Sequence, residues 1–223
     1  MQTSELRFGD IMAGLGSVIR SNAGLVLLAT ALIAMIDTVF DMTADKATSA
    51  GLGMFASVAI SVFGQYHFVE ALLPGYRAGT ASRKRRYGSL FAAGFLGGLG
   101  VALGVVLLVV PGLYLAARWS ISTPFIVAED QASTQSLKSS WHATQDSGWT
   151  IFLVLLTLSM AGLAVFATAT VIATLAGRQD NALVQSLLTN ILVGLWLVGG
   201  WCLSVAIFQR LNPASGTYEA VFD

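Results

Sequence analysis

Three stretches of this chain, Leu90–Val110, Thr150–Leu175 and Leu183–Phe208, run without a single charged residue. A helix rises about 1.5 Å per residue and the hydrocarbon core of a bilayer is about 30 Å thick, so runs of about 18 residues or more reach across it. They are apolar on every side, which leaves no face for water. Ala23–Phe40, with Asp37 near its end, and Leu52–Leu73, with Gln65, His67 and Glu70 in its last two turns, are similar in length and almost as apolar. Only 11% of the 223 residues are charged, 55% are hydrophobic, and the mean hydropathy is +0.73. A soluble domain carries about 25% charged residues. The expected fold class is therefore all-α: a polytopic transmembrane helical bundle of about six spans.

The chain reads as one membrane domain over residues 1–211, with a tail over 212–223. Spans are expected near 23–40, 52–73, 90–110, 112–128, 150–175 and 183–208. Before them, Phe8, Ile11, Met12, Leu15, Val18 and Ile19 recur at helical spacing opposite Arg7, Asp10, Ser17 and Arg20. That pattern predicts an amphipathic interfacial helix within residues 1–22, with lipid or protein beneath its apolar side. Glu5 and Asp10 stand where a signal peptide would carry bases, and no unbroken apolar run follows. Pro74-Gly75 ends the second span, and Pro111-Gly112 is expected as a turn after the third. Leu113–Ala128 reads either as a short fourth span or as a continuation of the third. Asp130 or Ser133 is expected to cap a short helix running to Thr144, with Leu137 and Trp141 on one side and Trp141 as an interfacial anchor.

Charge sets the orientation. With six spans, Arg7, Arg20, Arg77, Arg83, Lys84, Arg85, Arg86, Lys138 and Arg210 fall on one side, against Lys46 and Arg178 on the other. Basic residues gather on the cytoplasmic side, so both termini are expected there, in an inner (cytoplasmic) membrane. The run Arg83, Lys84, Arg85, Arg86 is the strongest charge feature. It reads as an orientation signal and a binding site for anionic lipid headgroups, at about 1 kcal/mol per base near the surface. No folded domain presents these bases to a groove, so nucleic acid is not an expected partner.

Little else in the sequence carries chemistry. Cys202 is the only cysteine and His67 and His142 the only histidines, and neither has metal-ligand spacing. No metal and no cofactor is expected. Ionisable groups at membrane depth are costly and point to function. Placed in the fourth span, Arg118 lies at the depth of Asp37, so an Asp37–Arg118 pair is expected, joined by Asn190. The alternative is an Arg118 that snorkels outward alone. Gln65, His67 and Glu70 read either as an ion or proton site or as groups meeting water, headgroups and the 83–86 bases. Gly94/Gly98 and Gly100/Gly104 are GxxxG pairs, which let helix backbones approach closely in lipid. Their partner is a neighbouring span or a second copy.

One segment carries a resemblance. Pro111, Gly112 and Tyr114, then Arg118, then Glu129, then Ser140, Trp141 and Thr144 follow the order P-G-[IL]-Y-L-x-x-R, an acid, and S-W-x-x-T. This resembles the bacterial multi-pass membrane domain found with glycerophosphoryl diester phosphodiesterases, and related stand-alone membrane proteins. A glycine usually follows the threonine closely in that family; here Gln145, Asp146 and Ser147 precede Gly148. The family's phosphodiesterase chemistry belongs to a separate soluble barrel, and none of the acids and histidines here cluster as it requires. The resemblance therefore implies a membrane module without catalysis. The expected function is a non-enzymatic, lipid-associated scaffold or accessory subunit of the bacterial inner membrane. Its expected partners are membrane lipids, preferably anionic, with other membrane proteins or a homo-oligomer as further candidates. The alternative is a small transporter or channel using Asp37, Glu70 and Arg118.

Overall fold

A computed structural model describes residues 6–43, 54–74, 85–175 and 181–212, and among them every element is an α-helix. In chain order they are α1 (Phe8–Ser21), α2 (Ala23–Thr43), α3 (Met54–Leu72), α4 (Tyr87–Leu107), α5 (Val109–Trp119), α6 (Ser122–Glu129), α7 (Ser133–Ala143), α8 (Gly148–Leu175) and α9 (Ala182–Leu211). Four of these, α2, α4, most of α8 and α9, are long and apolar enough to cross a membrane. Large apolar side chains stay exposed along them, among them Leu27, Met35, Phe95, Leu103, Leu163 and Leu187. Water would not tolerate such a surface, but hydrocarbon does. The chain is an integral membrane protein.

α9 is the axis of the bundle. α2 lies antiparallel against its first half, where Gly194 lets the Thr30 backbone close in: an added Cβ would stand 3.2 Å from the Thr30 carbonyl oxygen. Its second half, from Trp201 to Phe208, is buried on all sides by α1, α3 and α6. There Phe68 meets Trp201 at 5.5 Å and Phe125 meets Phe208 at 5.1 Å between ring centres. The core therefore sits at one end of the molecule. α1 buries Ile11, Leu15 and Val18 and lays Gly14 against Ala206 and Arg210. What lies under this amphipathic helix is the end of α9.

Residues 112–128 differ from a single span. The chain reverses at Leu108, which is extended (φ −161°, ψ 130°), and Pro111 stands in the first turn of α5. A proline is tolerated there because the first amides of a helix have no partner to lose. The return then breaks into α5 and α6 at Ser120 and Ile121. At about 1.5 Å per residue, the two pieces are only about 16 and 12 Å long. Glycine makes the reversal tight: a Cβ on Gly104 would stand 2.7 Å from the Gly112 Cα, and one on Gly100 2.6 Å from the Trp119 ring. Gly94 and Gly98 face open space. α6 ends on Asp130, which is left-handed (φ 55°) and takes Arg86 Nε at 2.6 Å. So Asp130 closes α6 and does not cap α7. The residue at the α7 N-cap is Ala132, which makes no side-chain cap, and Ser133 already lies inside the helix.

Candidate functional site

The break between α5 and α6 leaves carbonyls without helical partners, and a membrane protein must satisfy each one internally. Ser120 Oγ donates to the Ala117 carbonyl at 2.8 Å. The Arg118 carbonyl accepts from Ser140 Oγ at 2.8 Å and from Thr144 Oγ1 at 3.2 Å. The Ser120 carbonyl accepts from Ser204 Oγ at 2.5 Å. Ser140 in α7 and Thr144 at its C-cap are one helical turn apart, so both hydroxyls reach the same oxygen. This explains the spacing of the S-W-x-x-T segment. Nothing in the sequence marks Ser204, a lone serine in an apolar run.

Beside this junction lies the Arg118 side chain, only 4% exposed. Its guanidinium carbon sits 4.4 Å from the centre of the Trp141 ring and 6.0 Å from that of Tyr114. Nε and Nη1 are buried without a hydrogen-bond partner. Among the described residues no carboxylate forms an ion pair with it. Gly148, the first residue of α8, closes the fourth side; a Cβ there would stand 3.1 Å from Arg118 Cδ and 3.2 Å from the Tyr114 hydroxyl. Trp149 follows, 63% exposed and 5.2 Å from the Tyr114 ring. A desolvated cation–π contact contributes about 2 kcal/mol. Taking an ion out of water costs several. The stacked rings alone do not balance the burial.

The expected Asp37–Arg118 pair is not formed. Asn190 reaches the α2 end that carries Asp37, but its partners are Thr38 Oγ1 at 3.1 Å and Asp41 Oδ2 at 2.9 Å, and Ser186 also bonds Asp41. Arg118 lies at the other end, two residues from the carbonyl held by Ser204. Asn190 and Ser204 are about 21 Å apart along α9 at about 1.5 Å per residue. The depths differ because the chain reverses at Leu108 and α5 carries Arg118 back to the end of α9 that holds Ser204. Asp41 and Ser186 have no signal in the sequence beyond their polarity near span ends.

Of the motif residues, Tyr114, Arg118, Ser140, Trp141 and Thr144 converge on this junction, and Gly112 packs on Gly104 and Val105 at the α4–α5 reversal. Pro111 is exposed at the start of α5, and Glu129 lies at the far end of α6, where Gln131 Nε2 donates to it at 2.8 Å. A second polar group gathers between α3 and α4. His67 bonds the Tyr87 hydroxyl at 3.0 Å and stands 3.3 Å from Glu70, and Glu70 stands 3.8 Å from Arg85. Gln65 donates to Thr123 at 3.1 Å. Of the four headgroup-binding candidates, Arg83 and Lys84 lie outside the described residues. Arg85 and Arg86 are exposed and face Glu70 and Asp130. Among the described residues no three His, Cys, Asp or Glu gather as metal ligands would.

No curated protein and no solved structure matches the chain. A family model described as the membrane domain of glycerophosphoryl diester phosphodiesterase matches residues 97–208, from the middle of α4 to the last turns of α9. That stretch is half of the chain and contains every contact of the Arg118 junction, and the protein belongs to this membrane-domain family.

Proposed function

We propose that the protein is a non-enzymatic, lipid-associated scaffold or accessory subunit of the bacterial inner membrane, with the α1 end of the bundle on the cytoplasmic side. One contrast carries this reading. The long faces of α2, α4 and α8 offer mainly apolar side chains to their surroundings. The exposed threonines of α8, Thr157, Thr168, Thr170 and Thr174, turn their hydroxyls back to carbonyls of their own helix, and Ser140, Thr144 and Ser204 turn theirs to the carbonyls of the α5–α6 break. A transport path needs polar groups in succession through the bilayer. Here the Asp41–Asn190 group and the His67–Glu70 group stand at opposite ends, with packed apolar residues between them. Arg85 and Arg86, before α4, lie at the α1 end, which suits anionic headgroups and the cytoplasmic leaflet.

The test is reconstitution. In vesicles containing phosphatidylglycerol, the scaffold assignment expects ion flux and glycerophosphodiester hydrolysis at the level of empty vesicles. Protein extracted in native nanodiscs should carry anionic lipid above its share in the membrane. Flux abolished by Glu70→Gln or Asp37→Asn would instead establish a transporter.

A further inference from the structure

The buried, unpartnered nitrogens of Arg118 face the first turn of α8. A helix start carries free amides and about half a positive charge, and anions settle there. Ser147 stands where a residue would cap α8, but its hydroxyl accepts from the Leu6 amide at 3.1 Å. The Tyr114 hydroxyl lies at the same place, close to Gly148. Guanidinium, phenol and backbone amides are all donors, and nothing acidic among the described residues answers them. Glycine at 148 lets these donors converge on the helix start, since a Cβ there would stand 3.2 Å from the Tyr114 hydroxyl and 3.3 Å from Arg118 Nη1.

The depth of the site is marked by rings. Trp141 and Trp149 are partly exposed beside it, and with Tyr114 they form the aromatic collar that membrane proteins place at headgroup level. We propose that Arg118, Tyr114 and the first amides of α8 form an oxyanion site that takes a phosphate group, supplied by a phospholipid headgroup at the level of the collar. A phosphate diester offers two charged oxygens to the planar guanidinium. Free inorganic phosphate has the same chemistry, so the test separates the two sources. This deepens the lipid-associated function proposed above and rests on it.

The experiment uses the full chain, purified and delipidated in a maltoside detergent, with melting followed by tryptophan fluorescence. The titrants are phosphatidylglycerol, diacylglycerol with the same acyl chains, and inorganic phosphate. A ligand that binds only the folded state raises the melting temperature. Phosphatidylglycerol should raise it by several degrees and diacylglycerol should not. The shift should need about tenfold more lipid in Gly148→Ala, whose methyl group enters the site, and in Tyr114→Phe, which removes one donor. Neither variant deletes Arg118, so both test the site even where Arg118→Leu fails to fold. A shift with inorganic phosphate that both variants weaken supports the site with the free ion as its source. Equal shifts in the wild type and both variants would overturn the site and leave lipid association standing. No shift with any titrant would remove both.

Discussion

Arg86 and Asp130 are 44 positions apart in sequence and meet at 2.6 Å, so the chain leaves for α4 and returns from α6 at one point. Both side chains are partly exposed. Such pairs contribute about 0.2–1 kcal/mol and weaken with salt. A double-mutant cycle on Arg86→Ala and Asp130→Ala, read by denaturant melts in detergent, should give a coupling in that range at low salt. It should fall towards zero in 1 M salt. Coupling that salt leaves unchanged would mean the pair is not water-exposed.

The Arg118 carbonyl has two donors, Ser140 and Thr144, and this predicts a non-additive loss. Ser140→Ala or Thr144→Val alone leaves one bond, for a cost of about 0.5–1.5 kcal/mol. Together they leave a buried carbonyl with no partner, and the cost should exceed the sum of the single losses by about 1 kcal/mol or more. Melting of the three variants in one detergent decides it. Simple additivity would mean that water reaches the oxygen.

Arg118 and Asp37 are at opposite ends of α9, so their substitutions should not couple. Asp37→Asn and Arg118→Lys should combine within about 0.5 kcal/mol of additivity, as distant sites do. Asn190→Leu should couple with Asp41→Asn, because Asn190 donates to that carboxylate. A thermal-shift cycle giving a strong Asp37–Arg118 term would restore the expected pair.

Hydropathy and period made most of the helices legible: α2, α3, α4, α8 and α9 begin and end within a few residues of the expected spans. What misled was punctuation. Pro111 reads as a stop, yet proline is as acceptable in a first helical turn as after a last one. Asp130 reads as an N-cap, yet a short polar side chain also suits a left-handed residue at a helix end. The site was half legible, since the motif named Tyr114, Arg118, Ser140, Trp141 and Thr144 without their geometry. Gly148 and Ser204 act only through three-dimensional neighbours, and no local pattern marks such residues.

The reversal between α4 and α5 carries the last prediction. Val105, Val106, Leu107, Leu108, Val109 and Val110 are consecutive, apolar and all exposed, and Val106 is 82% exposed. A turn that met water would hold polar residues, as Gln145 and Asp146 do between α7 and α8. Its polar backbone is partly served from within, since the Leu108 amide bonds the Gly104 carbonyl at 2.9 Å and Pro111 has no amide to satisfy. The tip is therefore expected to end in hydrocarbon. Cys202 is fully buried, so introduced cysteines can be read against a quiet background. In intact vesicles, Leu108→Cys should resist a membrane-impermeant maleimide applied from either side. Gln145→Cys should label from one side and Thr43→Cys from the other. Rapid labelling of Leu108→Cys alongside Thr43→Cys would put the tip in water and make α4 and the α5–α6 return a full crossing.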